Sequence, residues 1–281
     1  MTVPSLSAPT SLSLAAVFAW GTSDFVGGYA ARRTNAFLLT AIAHISGLLL
    51  MAGVALASHS PFPLPTAVVW ALAAGLSGGG ALAIFYRALA RGRMGLTAPI
   101  AAVLSAAIPT VVGMFREGVP QTAQVLGFAL AAAGIWLISR TEDDSPTEGI
   151  GMAALAGIGF AGYYLCIKQA GDGSAVWIAA VSKVASFTLT GLIVLIGRSA
   201  REIDRHGIAF GVLAGCLDIT GSVLFIRASQ TGRLDAAVVL SSLYPAVTVL
   251  LARFILREHF TRWKALGMVA ALLAVPMIAW R

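Results

Sequence analysis

Four ionisable side chains stand inside long apolar runs: Asp24 in GTSDFVGG, His44 in AIAHISG, Lys183 in AVSKVAS and Asp218 in GCLDITGS. Hydrocarbon penalises such groups, so each is by default a functional candidate. Together they offer two carboxylates, an ammonium and an imidazole. Those groups could form an internal ion pair, hold a charged ligand or carry a proton. Gly211, Gly215, Asp218 and Ser222 are spaced by four, three and four and share one helical face. Small residues on such a face let another helix approach or leave room for a cavity. Gly21, Asp24 and Gly28 form a similar face, with Trp20 one turn before the acid. Asp24 also lies near the end of its run, which fits an interfacial acid.

Lys183 lies about nine residues into its run, roughly 13 Å deep at the helical rise. That depth is too great for easy snorkelling, so a partner is expected, either Asp24 or Asp218. One such pair leaves one carboxylate over, to bind a substrate amine or take up a proton. Asp218 is the first choice for that coupling role. His44 could relay protons, although a neutral hydrogen-bonding histidine is the more ordinary reading. Of Tyr163 and Tyr164, one is expected to face a cavity and the other to pack. Ser241, Ser242 and Tyr244 precede Pro245, and Pro99 and Pro109 occupy an earlier run. Prolines there kink helices and free backbone carbonyls. The substrate-binding candidates are therefore Trp20, Asp24, Tyr163, Asp218, Ser222 and Tyr244. Asp218, Lys183 and His44 are the candidates for proton coupling or a charge pair.

No enzyme constellation accompanies them. Cys166 and Cys216 lack metal-ligand spacing, and there is no Walker-type loop or Ser-His-Asp set at credible depth. Neither a metal nor a cofactor is expected, and no ATP site is present in the sequence.

The elements that must position these groups follow from composition. The 281 residues are 58% hydrophobic and 11% charged, against about 25% charged in a soluble domain. Apolar runs at 11–31, 36–57, 66–90, 94–115, 122–139, 150–170, 174–197, 206–230, 234–256 and 262–280 give ten spans, each near the roughly 20 residues that cross a bilayer. They do not alternate as barrel strands would. The net charge of +7 comes from Lys and Arg scattered between the runs, which fits membrane loops rather than nucleic acid. The opening MTVPSLSAPTSLSL has no basic n-region, so the first run is expected to stay in the mature chain.

An acidic linker, TEDDSPTEG (141–149), divides the chain into 1–140 and 150–281. At an offset of 140 residues FYRALARGRM from Phe85 aligns with FIRASQTGRL from Phe225, and Gly75 meets Gly215. Two halves of five spans each must insert with opposite orientation, an arrangement used by transporters with a site at the repeat interface. In the first half a glycine, within SGGG (77–80), takes the place of Asp218.

The segments WGTSDFVGGYAARR (20–33), YRALARGRMGLTAPIAAVLSAAIP (86–109) and GRLDAAVVLSSLYPAVTVLLARFILRE (232–258) resemble the drug/metabolite transporter superfamily, in its bacterial EamA-type branch. The resemblance covers nearly the whole chain. It implies an all-α integral membrane protein of about ten transmembrane helices, in two inverted five-helix repeats around a central cavity. It implies an exporter of small metabolites such as amino acids, a cavity lined mainly by helices one, three, four, six, eight and nine, and termini in the cytoplasm. The Ser-Asp-Phe element at Asp24 is typical of helix one in that branch. Lys168 matches a lysine often found at the end of helix six, where it is an interfacial anchor or a contact for an anionic group. Arg116 and Arg257 stand where the family commonly has the glycine of a Gly-Glu pair; Glu117 and Glu258 are expected at helix ends.

Basic residues near the span ends oppose the implied sidedness. The end holding the termini collects Arg116, Lys168, Arg227, Arg233 and Arg281, while the other collects Arg32, Arg33, Arg87, Arg91, Arg93, Arg140, Arg198, Arg201, Arg205, Arg257, Arg262 and Lys264. The positive-inside rule therefore favours termini outside. The function expected is alternating-access export through a multi-pass protein of the inner cell membrane, as monomer or homodimer. Proton or counter-substrate coupling is part of that expectation. Trp20, Tyr163 and Tyr164 beside an unpaired acid would also suit lipophilic cations. A sensor or scaffold role belongs to another class, disfavoured by the short loops.

Overall fold

In hydrocarbon every backbone amide must find its partner within the chain, and an apolar segment of about twenty residues does so as a helix. The computed structural model describes residues 8–92, 94–117, 121–139, 149–197, 205–257 and 261–279. Their regular elements are α1 (Ala8–Ala30), α2 (Ala36–Ala57), α3 (Pro65–Arg91), α4 (Met94–Glu117), α5 (Thr122–Ser139), α6 (Ile150–Ala170), α7 (Ala175–Ile196), α8 (Arg205–Thr231), α9 (Leu234–Ser241), α10 (Tyr244–Ile255) and α11 (Arg262–Ala279). Among the described residues six spans are long and apolar enough by themselves to cross a membrane: α2, α3, α6, α7, α8 and residues 236–255. The buried side of α1 carries Ser13, Ser23, Asp24 and three glycines, which lowers its hydropathy. The linker at 141–148, Glu258 and part of the basic set (Arg93, Arg140, Arg198, Arg201 and Arg281) lie outside the described residues.

The expected single span at 234–256 is two helices. Pro245 has no amide hydrogen and cannot bond the carbonyl four residues earlier. The chain turns through Ser242 and Leu243, with the Ser242 amide donating to Val238 O at 2.8 Å and the Leu243 amide to Leu240 O at 3.2 Å. In the other half α4 runs unbroken through Pro99 and Pro109. Arg257, just past α10, has φ +55°, the left-handed region a glycine enters freely. Arg116 instead lies within α4.

Packing crosses between the halves. α1 lies along α8 and α3 along α6; α2 meets α7 and α5 meets α11; α4 lies on α6 as α10 lies on α1. Exchanging the halves maps each of these contacts onto another or onto itself, as a pseudo-twofold axis requires. Gly75 and Gly215 mark the two closest approaches. A Cβ on Gly75 would collide with the Ser182 carbonyl of α7, and one on Gly215 with the Ala43 carbonyl of α2. Serine hydroxyls sew the same seams. Ser23 donates to Ala214 O from α1 to α8, and Ser77 to Gly159 O from α3 to α6, both at 2.8 Å.

Candidate functional site

Where α1, α3, α6, α7, α8 and α10 converge, a cavity holds about 530 Å³ of empty space. Its wall includes Trp20, Asp24, Tyr163, Asp218, Ser222 and Tyr244, so all six substrate-binding candidates meet there. Lys183 joins them from α7, its Nζ 2.5 Å from Asp218 Oδ2. Of the two acids proposed to hold the lysine, Asp218 does.

That pair is anchored on its backbone side. Trp20 Nε1 donates to the Asp218 carbonyl at 3.1 Å and Ser222 Oγ donates to it at 2.9 Å. Trp20 thereby ties α1 to α8, and its ring lies against Tyr164 and Phe225, with centroids 6.1 and 5.6 Å away. Tyr163 meets Tyr164 edge-on at 5.7 Å. Both tyrosines line the cavity, against the expectation that one would pack elsewhere. Phe225, 4.7 Å from Tyr164 and 6.4 Å from Tyr163, supports both rings from outside the wall.

Asp24 is 6% exposed, so it is a buried wall residue rather than an interfacial acid. Its carboxylate has no hydrogen bond or ion pair among the described residues; Asp218 acts on it as a like charge. Next to it, Ser23 accepts from the Tyr86 hydroxyl at 3.1 Å while donating to Ala214 O, which joins α1, α3 and α8 at this level. The Tyr244 hydroxyl is buried without a hydrogen-bond partner among the described residues. Tyr163 turns its hydroxyl toward Ser222 without reaching hydrogen-bond geometry. Tyr244 begins α10, so the helix break brings its ring to the cavity, and Thr248 Oγ1 fixes this turn to α1 through Gly21 O at 3.0 Å.

His44 is fully buried in α2 but is not part of the wall. Its Nε2 lies 3.5 Å from Gly79 O, a long contact, and its Nδ1 has no partner among the described residues. It stands close enough to Lys183 to feel that charge. Lys168 reaches Ser229 O at 3.4 Å and joins the ends of α6 and α8, away from the cavity wall.

Helix seven is on the wall, contrary to what the family resemblance implied: Ser182, Lys183 and Ser186 all contribute. Gly75 and Gly79 on α3 let α7 approach, and Ser186 Oγ donates to Gly75 O at 2.8 Å. Sequence reading missed Phe160, Ser182 and Ser186, and singled out the α3 strip only as the SGGG counterpart of the Asp218 position. The two serines were detectable, since they flank Lys183 at minus one and plus three on its own helical face. Gly78, in the place that corresponds to Asp218, has its Cβ direction filled by the Tyr163 ring at 2.9 Å. An aromatic side chain thus occupies the position opposite the acid's counterpart.

Cys166 and Cys216 are free, and no cluster of three metal-binding side chains occurs among the described residues. Residues 9–140 and 147–280 each match the EamA-like transporter family. No curated protein matches the chain. Among 23 matching chains of known structure, one crystal structure is 20% identical, with TM-score 0.74 over 97% of this chain and 96% of that one. At that identity the likeness speaks for the fold.

Proposed function

The chain belongs to the EamA-like transporter family, and from that premise we propose that it is a secondary exporter of small amine-bearing compounds. Transport proceeds by alternating access, with the two halves rocking about the cavity on their pseudo-twofold axis. The observation that carries the cargo class is the unpaired Asp24 carboxylate on a wall with five aromatic rings: Trp20, Phe160, Tyr163, Tyr164 and Tyr244. Two carboxylates and one lysine leave the cavity one negative charge over, and Lys183 is already engaged with Asp218. A monovalent ammonium neutralises the remainder. Aromatic faces add about 0.5–2 kcal/mol of cation–π attraction in a dry site.

The same carboxylate supplies the coupling. A proton and a substrate ammonium compete for Asp24, so loading one releases the other, which is the logic of proton–substrate exchange. A multi-pass protein working in this way in the inner cell membrane would draw on the proton gradient. Amino acids are the second reading. Lys183 lines the cavity and has ammonium hydrogens beyond the one facing Asp218, which could meet an α-carboxylate while Asp24 holds the amine.

Reconstituted protein decides between them. In proteoliposomes with an imposed pH gradient, organic ammonium compounds are expected to move, and Asp24→Asn to abolish that movement while the variant stays folded. Zwitterionic amino acids competing as well as simple amines would move the cargo to the second reading. Undiminished ammonium flux in Asp24→Asn would remove Asp24 from the mechanism.

A further inference from the structure

A second pocket lies away from the cavity, where α1 has ended, α2 begins and α3 ends. It holds about 520 Å³ of open space, between the turn at Ala31 and Asn35, the first turn of α2 at Phe37, and Arg87, Ala90 and Arg91 of α3. Arg87 and Arg91 are four residues apart and project from one face of the last turns of α3. Alanines beside them leave the space unfilled. The Arg87 guanidinium sits 6.0 Å over the Phe37 ring, which holds its plane while leaving N–H edges free to donate. Neither guanidinium has a carboxylate partner among the described residues. The first α2 amides do not compete for a ligand, because Asn35 Oδ1 already accepts from Phe37 N at 3.0 Å and Leu38 N at 3.3 Å.

Two guanidiniums with no carboxylate partner among the described residues, one of them held over Phe37, form a fork suited to a phosphate, which accepts paired N–H donors. The pocket also sits at helix ends, the depth at which headgroups lie, and basic pockets between membrane helices recognise anionic headgroups. We propose that this pocket binds a phosphate-bearing anion, with Arg87 and Arg91 as its two donors. The phosphate can come from an anionic lipid headgroup or from a soluble phosphate compound, and the chemistry of recognition is the same.

Native mass spectrometry of the detergent-purified, full-length protein separates the sources. The probes are phosphatidylglycerol, phosphatidylcholine and glycerol 3-phosphate. The variants are Arg87→Gln with Arg91→Gln, and Arg227→Gln as a control at an exposed arginine on α8. Retention of phosphatidylglycerol over phosphatidylcholine, falling on the order of tenfold in the double variant but not in the control, establishes a lipid site. Glycerol 3-phosphate binding with the same dependence on the two arginines establishes a soluble ligand. Equal binding of every probe by wild type and double variant overturns the proposal, and so does binding of none. If the double variant fails to fold, Arg87→Lys with Arg91→Lys keeps the charge and removes the fork. Weakened phosphatidylglycerol binding in that variant supports the site, and unchanged binding refutes paired recognition.

Discussion

Lys183 and Asp218 hold each other inside the cavity wall, and that gives the two buried acids different fates on mutation. Removing one partner of a buried pair strands the other charge, at about 3–5 kcal/mol. Lys183→Met and Asp218→Asn should each lower the unfolding temperature sharply. Lys183→Met combined with Asp218→Leu should recover most of the loss, because apolar replacement of both partners leaves no stranded charge. Asp24→Asn strands no partner and removes a buried charge, so its unfolding temperature should equal or exceed that of wild type. Thermal unfolding of all four variants in one detergent checks the set, and a destabilised Asp24→Asn would expose a partner for Asp24. The need for a lysine partner was legible from depth alone. The identity of that partner was not, because Asp24 and Asp218 present similar local sequence. The choice was made by α7, which lies beside Asp218 only after α3 admits it at Gly75 and Gly79.

At the scale of the helix, composition sets the spans but not their joints. The boundaries of α2 and α6 follow directly from their apolar runs, since Asn35 caps one and glycines flank the other. The break between α9 and α10 was written as a proline, yet Pro99 and Pro109 leave α4 whole. A proline says where a helix can break, and the packing around it says whether it does. Arg257 shows the opposite case. Its left-handed backbone is the conformation expected of the glycine it replaces, so the turn outlasts the residue that usually makes it. The close seams are testable in the same terms. Gly215→Ala should cost about 1–3 kcal/mol, because its Cβ meets a helix backbone that cannot yield, while Gly53→Ala, with open space beside it, should be neutral or slightly stabilising. Equal effects at both sites would mean that the α8–α2 seam is looser than drawn.

Across the whole molecule, the repeat was visible as an offset between halves, but the way the halves interlock was not. Pattern matching pairs each residue with its counterpart; it does not say that α1 packs on α8 rather than on its own neighbours. That interlocking makes the halves depend on one another. Residues 1–140 produced alone should be unstable in the membrane, as should 150–281. Co-produced from separate messages, they should assemble and recover ligand binding, measured by thermal shift on the co-purified pair. Stable accumulation of either half alone would contradict the packing described.

The same interlocking bears on how the chain is made. α1 enters the bilayer with its partner α8 still untranslated. At about 5–20 residues per second, α8 emerges on the order of 10–40 s later. For that interval Ser23 and Trp20 lack their acceptors on α8, the Ala214 and Asp218 carbonyls, and face lipid or the insertion machinery instead. The nascent first half is therefore the species in greatest need of a chaperone, and the arrival of α8 is the step that ends its exposure to membrane proteases.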